Sequence, residues 1–269
     1  MPITRIVAWD ERLKSFKGRD ATQYVITSAE LAKTCGACRE PLTPGDHLSL
    51  LVHITQSSAP DGSEYLTFTD VVCHRRCSDP VVTVEQTEWQ PDTLSPIAAR
   101  VILEQKSRTG QSRVVPALAY TLVPVLTFRE KGGDLTSALV ASLLSEGFQL
   151  AMSANYSDLL DQARDACPGC RFTINTQGVL QLNMSGQVLY REQLQPQSHN
   201  DVEWIQATAD AGHVLLISGD NLDITDTGLD ISTAARQGTL VIGTVPVTSD
   251  RSISSAESRY QAGQGSRAS

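Results

Sequence analysis

The six cysteines of this chain fall into three tight pairs: Cys35 with Cys38, Cys73 with Cys77, and Cys167 with Cys170. In a reducing compartment such clustering favours metal binding over disulfides. The N-terminal stretch MPITRIVAWDERLK carries charge where a secretion signal needs an apolar run, so the expected location is the cytoplasm. A metal drawing on the first two pairs requires the chain between Cys38 and Cys73 to double back. That requirement limits the fold more than any other feature of the sequence.

The intervening residues can meet it. LSLLVHITQ and EYLTFTDVV are rich in β-branched and aliphatic residues, and Ser-Ser-Ala-Pro-Asp-Gly-Ser lies between them. This predicts a β-hairpin with a Pro-Asp-Gly turn. A pivot near Pro60 places His47 opposite Cys73 and brings the Cys-x-x-Cys knuckle beside the second cluster.

Zinc takes four thiolate or imidazole donors in a tetrahedron. Cys35 and Cys38 supply two, with Gly36 helping the backbone turn toward the ion. The second half-site is His74-x-x-Cys77 or Cys73-x-x-x-Cys77. Neighbouring strand residues point to opposite faces, so only one of Cys73 and His74 can face the ion. Positions three apart share a face of a helical turn, which favours His74, with Cys73 as the alternative. The expected set is therefore Cys35, Cys38, His74 and Cys77 around a structural zinc.

CGACREPLTPGD, a hairpin and then HRRC together resemble a treble-clef zinc finger of the LIM or poly-ADP-ribose polymerase type, over residues 35–77. The resemblance implies a structural metal and a binding module. The chain departs from the pattern after Cys77, where treble clefs continue into a helix and this sequence reaches Pro80. Asp46-His47 is similar to the Asp-His pair of His-Asn-His nucleases, whose His acts as a general base beside a catalytic metal. However, Leu50 stands where such enzymes carry a proline, and no Asn lies between the two half-sites. A turn Asp followed by a strand His is the plainer reading.

The rest of the chain reads as α+β or α/β. After a weakly patterned 1–33, the expected zinc-stabilised module spans 1–80. A linker, or an extra strand, covers 81–94. A mixed-sheet α/β domain covers 95–247, and a Ser- and Gly-rich disordered tail covers 248–269. Within the domain, Ser95-Pro96 signals a helix start and IAARVILEQKS its body. VVPALAYTLVPVLTF reads as one or two strands interrupted by prolines. Asp134 caps a helix carrying Leu135, Leu139 and Leu143 and closing at Gly147. FQLAMSA reads as a strand and SDLLDQARDA as a helix. RFTIN, VLQLNM and QVLYREQ form a meander. DVEWIQATADAG is a helix closed by Gly212, and HVLLISG and TLVIGTVPV are strands.

Three further motifs have bland readings. CPGC at 167–170 ends a helix, where the dipole opposes thiolate formation, so these are turn or buried cysteines rather than a redox pair. EKGGDLTSALVASLL is similar to the phosphate loop of chromosome-partitioning ATPases at Lys131, Gly132 and Gly133. Leu135, Thr136 and Ser137 then replace the Gly-Lys-Thr that reaches the phosphates. The aspartates of SGDNLDITDTGLD do not fit a calcium loop and read as a solvated acidic loop.

Charge bounds the partners. The net charge is −8. Residues 1–80 hold 9 basic and 10 acidic residues, against 13 and 20 in 81–269. That excludes a global basic surface for nucleic acid and leaves room only for a local patch in the first part. No apolar run reaches the roughly 18 residues of a membrane span. The expected function is a non-enzymatic, zinc-binding interaction or regulatory protein with a protein or nucleic-acid partner. The alternative is an enzyme, a nuclease or nucleotide hydrolase, in the α/β domain.

Overall fold

A computed structural model describes residues 6–58, 63–88, 94–106, 112–129, 135–164, 169–195, 197–225 and 228–249. The elements begin with β1 (Ile6–Ala8), α1 (Leu13–Lys17), α2 (Ala21–Leu31), β2 (His47–Ser58), β3 (Glu64–His74) and β4 (Val81–Glu88). Next come β5 (Ser95–Lys106), β6 (Ser112–Val123), β7 (Leu126–Arg129), β8 (Leu135–Ser137), α3 (Ala138–Ser145), β9 (Gln149–Leu150) and α4 (Tyr156–Gln162). The chain finishes with β10 (Arg171–Ile174), β11 (Val179–Met184), β12 (Gln187–Gln193), α5 (His199–Ala211), β13 (His213–Ser218), β14 (Asp223–Thr225), β15 (Gly228–Asp230), α6 (Ser232–Gln237) and β16 (Val241–Ser249). The protein is mixed α and β with strands predominating. No described helix is long and apolar enough to cross a membrane.

The chain divides into two compact units. One lies within 1–95 and 122–139, the other within 96–121 and 140–269. The first is built on the predicted hairpin. Leu48, Leu50, Val52 and Ile54 alternate along β2 into one core, joined by Leu66, Phe68 and Val72 of β3. The register differs from the expected one by two residues: Ser49 faces Cys73, Leu48 faces His74, and His47 O accepts from Arg75 N–H. A two-residue shift leaves every side chain on its expected face, whereas a shift of one would have reversed them all. Val81–Glu88, expected as a linker or an extra strand, is a strand running parallel along β2. The weakly patterned sequence before Cys35 contains α2. Ala21, Val25 and Ala29 of that helix, spaced by four, enter the same core.

The second unit is a large mixed sheet in the order β12-β11-β10-β16-β13-β6-β5, with β9 on β16. The meander β10–β12 and the buried strands β13 and β16 follow the sequence reading. Strand β6 is buried on both faces, which explains its unbroken apolar run. Helix α5 starts at Ser198, whose hydroxyl accepts from Asp201 N–H, and ends at Gly212 in the left-handed region.

Three segments differ from their expected form. Residues 95–106 form strand β5, not a helix: Val101 and Leu103, two apart, pack on the core while Arg100 is turned to other partners, a period of two. Helix α3 begins at Ala138, and Leu135–Ser137 is the strand β8; Asp134, the expected cap, lies outside the described residues. The acidic segment after Gly219 is the two-stranded β14–β15 ribbon rather than a loop. The tail after Ser249 also lies outside the described residues.

The two end strands of the large sheet are joined through side chains. Arg100 of β5 grips Glu192 of β12 with two nitrogens, at 3.0 and 3.1 Å, and Asp201 of α5 at 2.8 Å. Its guanidinium lies over the Trp204 ring. Burial opposes the charged form of Asp201, but Gln195 N–H and Arg100 outweigh it and hold its carboxyl below the ordinary carboxylate range. Replacing Arg100 by Ala leaves two largely buried carboxylates uncompensated. It is expected to cost about 2–3 kcal/mol in urea melts, less than for a fully buried pair because all three side chains keep some solvent. Because the folded Asp201 is the more acidic form, its stabilisation is complete above about pH 4 and is lost as pH falls further through the lowered value. The stability gap between wild type and Asp201→Asn should accordingly narrow below about pH 4.

Candidate metal centre

The knuckle is a short closed loop. Thr34 bridges to Pro41, Cys35 N–H donates to Glu40 O, and Arg39 N–H donates to Cys35 O. Arg39 takes a positive φ of 65° to close it. Gly36 N–H donates to Val72 O, fastening the knuckle to β3. A Cβ at Gly36 would lie 2.0 Å from Val71 Cγ1, so a larger residue requires the Val71 side chain to turn or the knuckle to shift. Beyond β3, Cys77 N–H and Ser78 N–H both return to His74 O. That single turn sets His74 and Cys77 on one side, as the spacing predicted.

Donor atoms of Cys35, Cys38, His74 and Cys77 all lie within 4.8 Å of one another, close enough to hold one metal ion. Nδ1 of His74 is 3.4 Å from Cys38 Sγ and 4.0 Å from Cys77 Sγ, so this nitrogen faces the thiols. Cys35 and His74 are buried, whereas Cys38 and Cys77 are exposed. Cys73 is buried with the core and stands outside the donor group.

The electrostatics divide the thiols. Burial pushes the Cys35 thiol up, but N–H groups of Cys38, His74 and Ala37 aimed at its sulfur prevail and bring it down to about 5. Around Cys38, the Glu40 N–H favours the thiolate; burial and the neighbouring Cys35 and Cys77 sulfurs oppose it and raise its pKa overall. Burial and then the charge of Cys35 push the Cys73 thiol up. One thiolate thus forms readily and resists the next, a conflict that a cation among the sulfurs relieves.

The other sequence candidates do not join this site. His47 is exposed at the start of β2. Cys170 is a buried thiol 3.8 Å from Glu146 Oε2, and Cys167 lies outside the described residues, as do Lys131, Gly132 and Gly133. His213 Nδ1 contacts Ala211 O, and His199 is largely exposed. Among the described residues no other group of His, Cys, Asp or Glu donors assembles. Asp46 was expected only as a turn residue, yet its Oδ2 lies 3.5 Å from His74 Nε2. The Thr-Pro-Gly-Asp turn that carries it was the available signal.

No protein-family model, curated protein or solved structure matches the chain. The site therefore rests on its own geometry.

Two substitutions separate the neighbours at β3's end. His74→Ala is expected to abolish metal uptake. Cys73→Ser is expected to retain it at an ordinary packing cost of about 1–2 kcal/mol. Metal analysis of both purified variants checks this; retention in the first and loss in the second would assign the ligand to Cys73. Gly36→Ala should weaken metal uptake, because the added methyl displaces either the Val71 side chain or the knuckle that β3 holds; uptake equal to wild type would show that Val71 alone yields.

Proposed function

We propose that the protein is a cytoplasmic, zinc-dependent interaction or regulatory protein without catalytic activity. In this reading a treble-clef-like module in the first unit is folded around one structural zinc and binds a protein or nucleic acid. The observation that carries it is the convergence of three thiols and one imidazole. A tetrahedral zinc with bonds near 2.3 Å to sulfur and 2.0 Å to nitrogen has donor–donor edges of roughly 3.4–3.8 Å. The 3.4 and 4.0 Å separations around His74 Nδ1 lie close to that range. Four protein donors complete the shell and leave no open position for substrate, which supports a structural role.

The position of the site supports the same reading. The knuckle and the turn after β3 are each only a few residues long, and a shared ion would tie both to the hairpin. Cys35 belongs to the apolar core, so the metal would also anchor that core. For the second unit, the cavity between α5 and the start of β6 offers little support for an enzyme. It is an open groove of about 740 Å³ whose carboxylates, Glu203 and Asp210, come from the helix surface rather than from strand ends.

Freshly purified, reduced protein should carry one zinc per chain. Chelation should expose the amides of β2, β3 and β4 to hydrogen exchange and leave those of β13 and β16 protected. Structural zinc supplies on the order of 10 kcal/mol of a small module's folding energy, more than such a module holds in reserve. Metal content near zero, or simultaneous melting of both units, would overturn this reading.

A further inference from the structure

We infer that Asp46 is the positioning residue of the metal centre: a carboxylate fixed by its own turn, which selects the ring nitrogen that His74 presents to the metal. The inference rests on the zinc reading above and extends it to a residue that supplies no ligand.

The sequence Thr43-Pro44-Gly45-Asp46 dictates the turn. Proline presets the first central position, and glycine supplies the positive φ, here 95°, required at the second. Asp46 N–H closes the turn onto Thr43 O at 3.2 Å. The side chain then folds back: Asp46 Oδ2 accepts from Thr43 N–H at 2.6 Å and from Thr43 Oγ1 at 2.9 Å. The carboxylate is thus held by two donors from a rigid turn immediately before β2. The pairing of Leu48 with His74 brings that turn beside the imidazole.

The ring lies between two unlike neighbours. Its Nδ1 faces the Cys38 and Cys77 sulfurs, and its Nε2 faces the Asp46 carboxylate at 3.5 Å. Neutral imidazole carries one proton. A negative charge beside Nε2 favours the proton there and leaves the Nδ1 lone pair directed at the thiols, as metal coordination requires. A buried ring with no charge on that side would lack this bias in tautomer and orientation. Partners of this kind are worth roughly 10–100-fold in metal affinity.

The test compares the full-length wild type with Asp46→Asn and Asp46→Ala. Asn keeps an oxygen for Thr43 and removes the charge; Ala removes both. Zinc affinity is measured by competition with a chromogenic chelator, and the His74 ring nitrogens are followed by ¹⁵N NMR in zinc-loaded and zinc-free protein. Wild type should bind zinc through Nδ1 with the proton on Nε2. Asp46→Asn should bind about tenfold or more weakly and, when zinc-free, show a larger share of the Nδ1-protonated tautomer. An Asn variant within twofold of wild type and with an unchanged tautomer ratio overturns the inference, even if Ala is impaired, because the turn alone would then matter. Coordination through Nε2 in wild type also overturns it while leaving the zinc reading intact. A wild type that takes up no zinc removes both.

Discussion

The pairing of β2 with β3 is the constraint on which the first unit depends. It is continuous from Leu48 opposite His74 to Ser58 opposite Glu64. Because it is continuous, the end of β3 is fixed relative to the start of β2 to within one side chain. The knuckle, the Thr43 turn and the helical turn after His74 then need only short segments to converge. Pairing of this kind begins across the few residues between Ser58 and Glu64, where loop closure costs least, and reinforces itself as it extends. The local loops inherit their positions from the hairpin rather than having to find one another.

The donor group has an inner and an outer side. Cys35 and His74 are sealed in the core, and the backbone supplies N–H groups to the Cys35 sulfur. Cys38 and Cys77 meet solvent, next to Glu40 and to Arg76, which pair at 3.1 Å. The inner pair is enclosed and the outer pair is open to solvent. Cys73, buried in the same core cluster as Cys35, stands outside the donors close enough to hold an ion.

Much of this was readable from the sequence because it depends on short-range rules. Cysteine spacing, strand alternation and the three-residue step from His74 to Cys77 are local, and the donor atoms converge as those rules implied. The meander and α5 followed for the same reason, with Gly212 and the turn residues as punctuation. Strand β5 was misread because Ser95-Pro96 is a sound helix start in isolation; pairing with β6 overrides it, and the placement of Val101 and Leu103 shows the winning period. Helix α2 was missed although Ala21, Val25 and Ala29 mark its buried face, since alanines give a weak apolar signal. The hairpin register could not be set to better than two residues without knowing how many positions the turn absorbs. Asp46 was identified as a turn residue, but its second neighbour lies across the hairpin, where sequence spacing carries no information.

The excursion of the chain out of the first unit and back has a consequence for synthesis. Strand β7 pairs with β3 through Tyr65 opposite Phe128 and Thr67 opposite Leu126, and β8 adds to β7. A ribosome that has released Cys35, Cys38, His74 and Cys77 has therefore not yet released β7, which pairs with the open flank of β3. At about 5–20 residues per second, that flank stays uncovered for several seconds while β5 and β6 are being made. During this interval the nascent hairpin presents an unpaired strand edge at Tyr65–Thr67, the end of β3 away from Val72, where the knuckle is fastened.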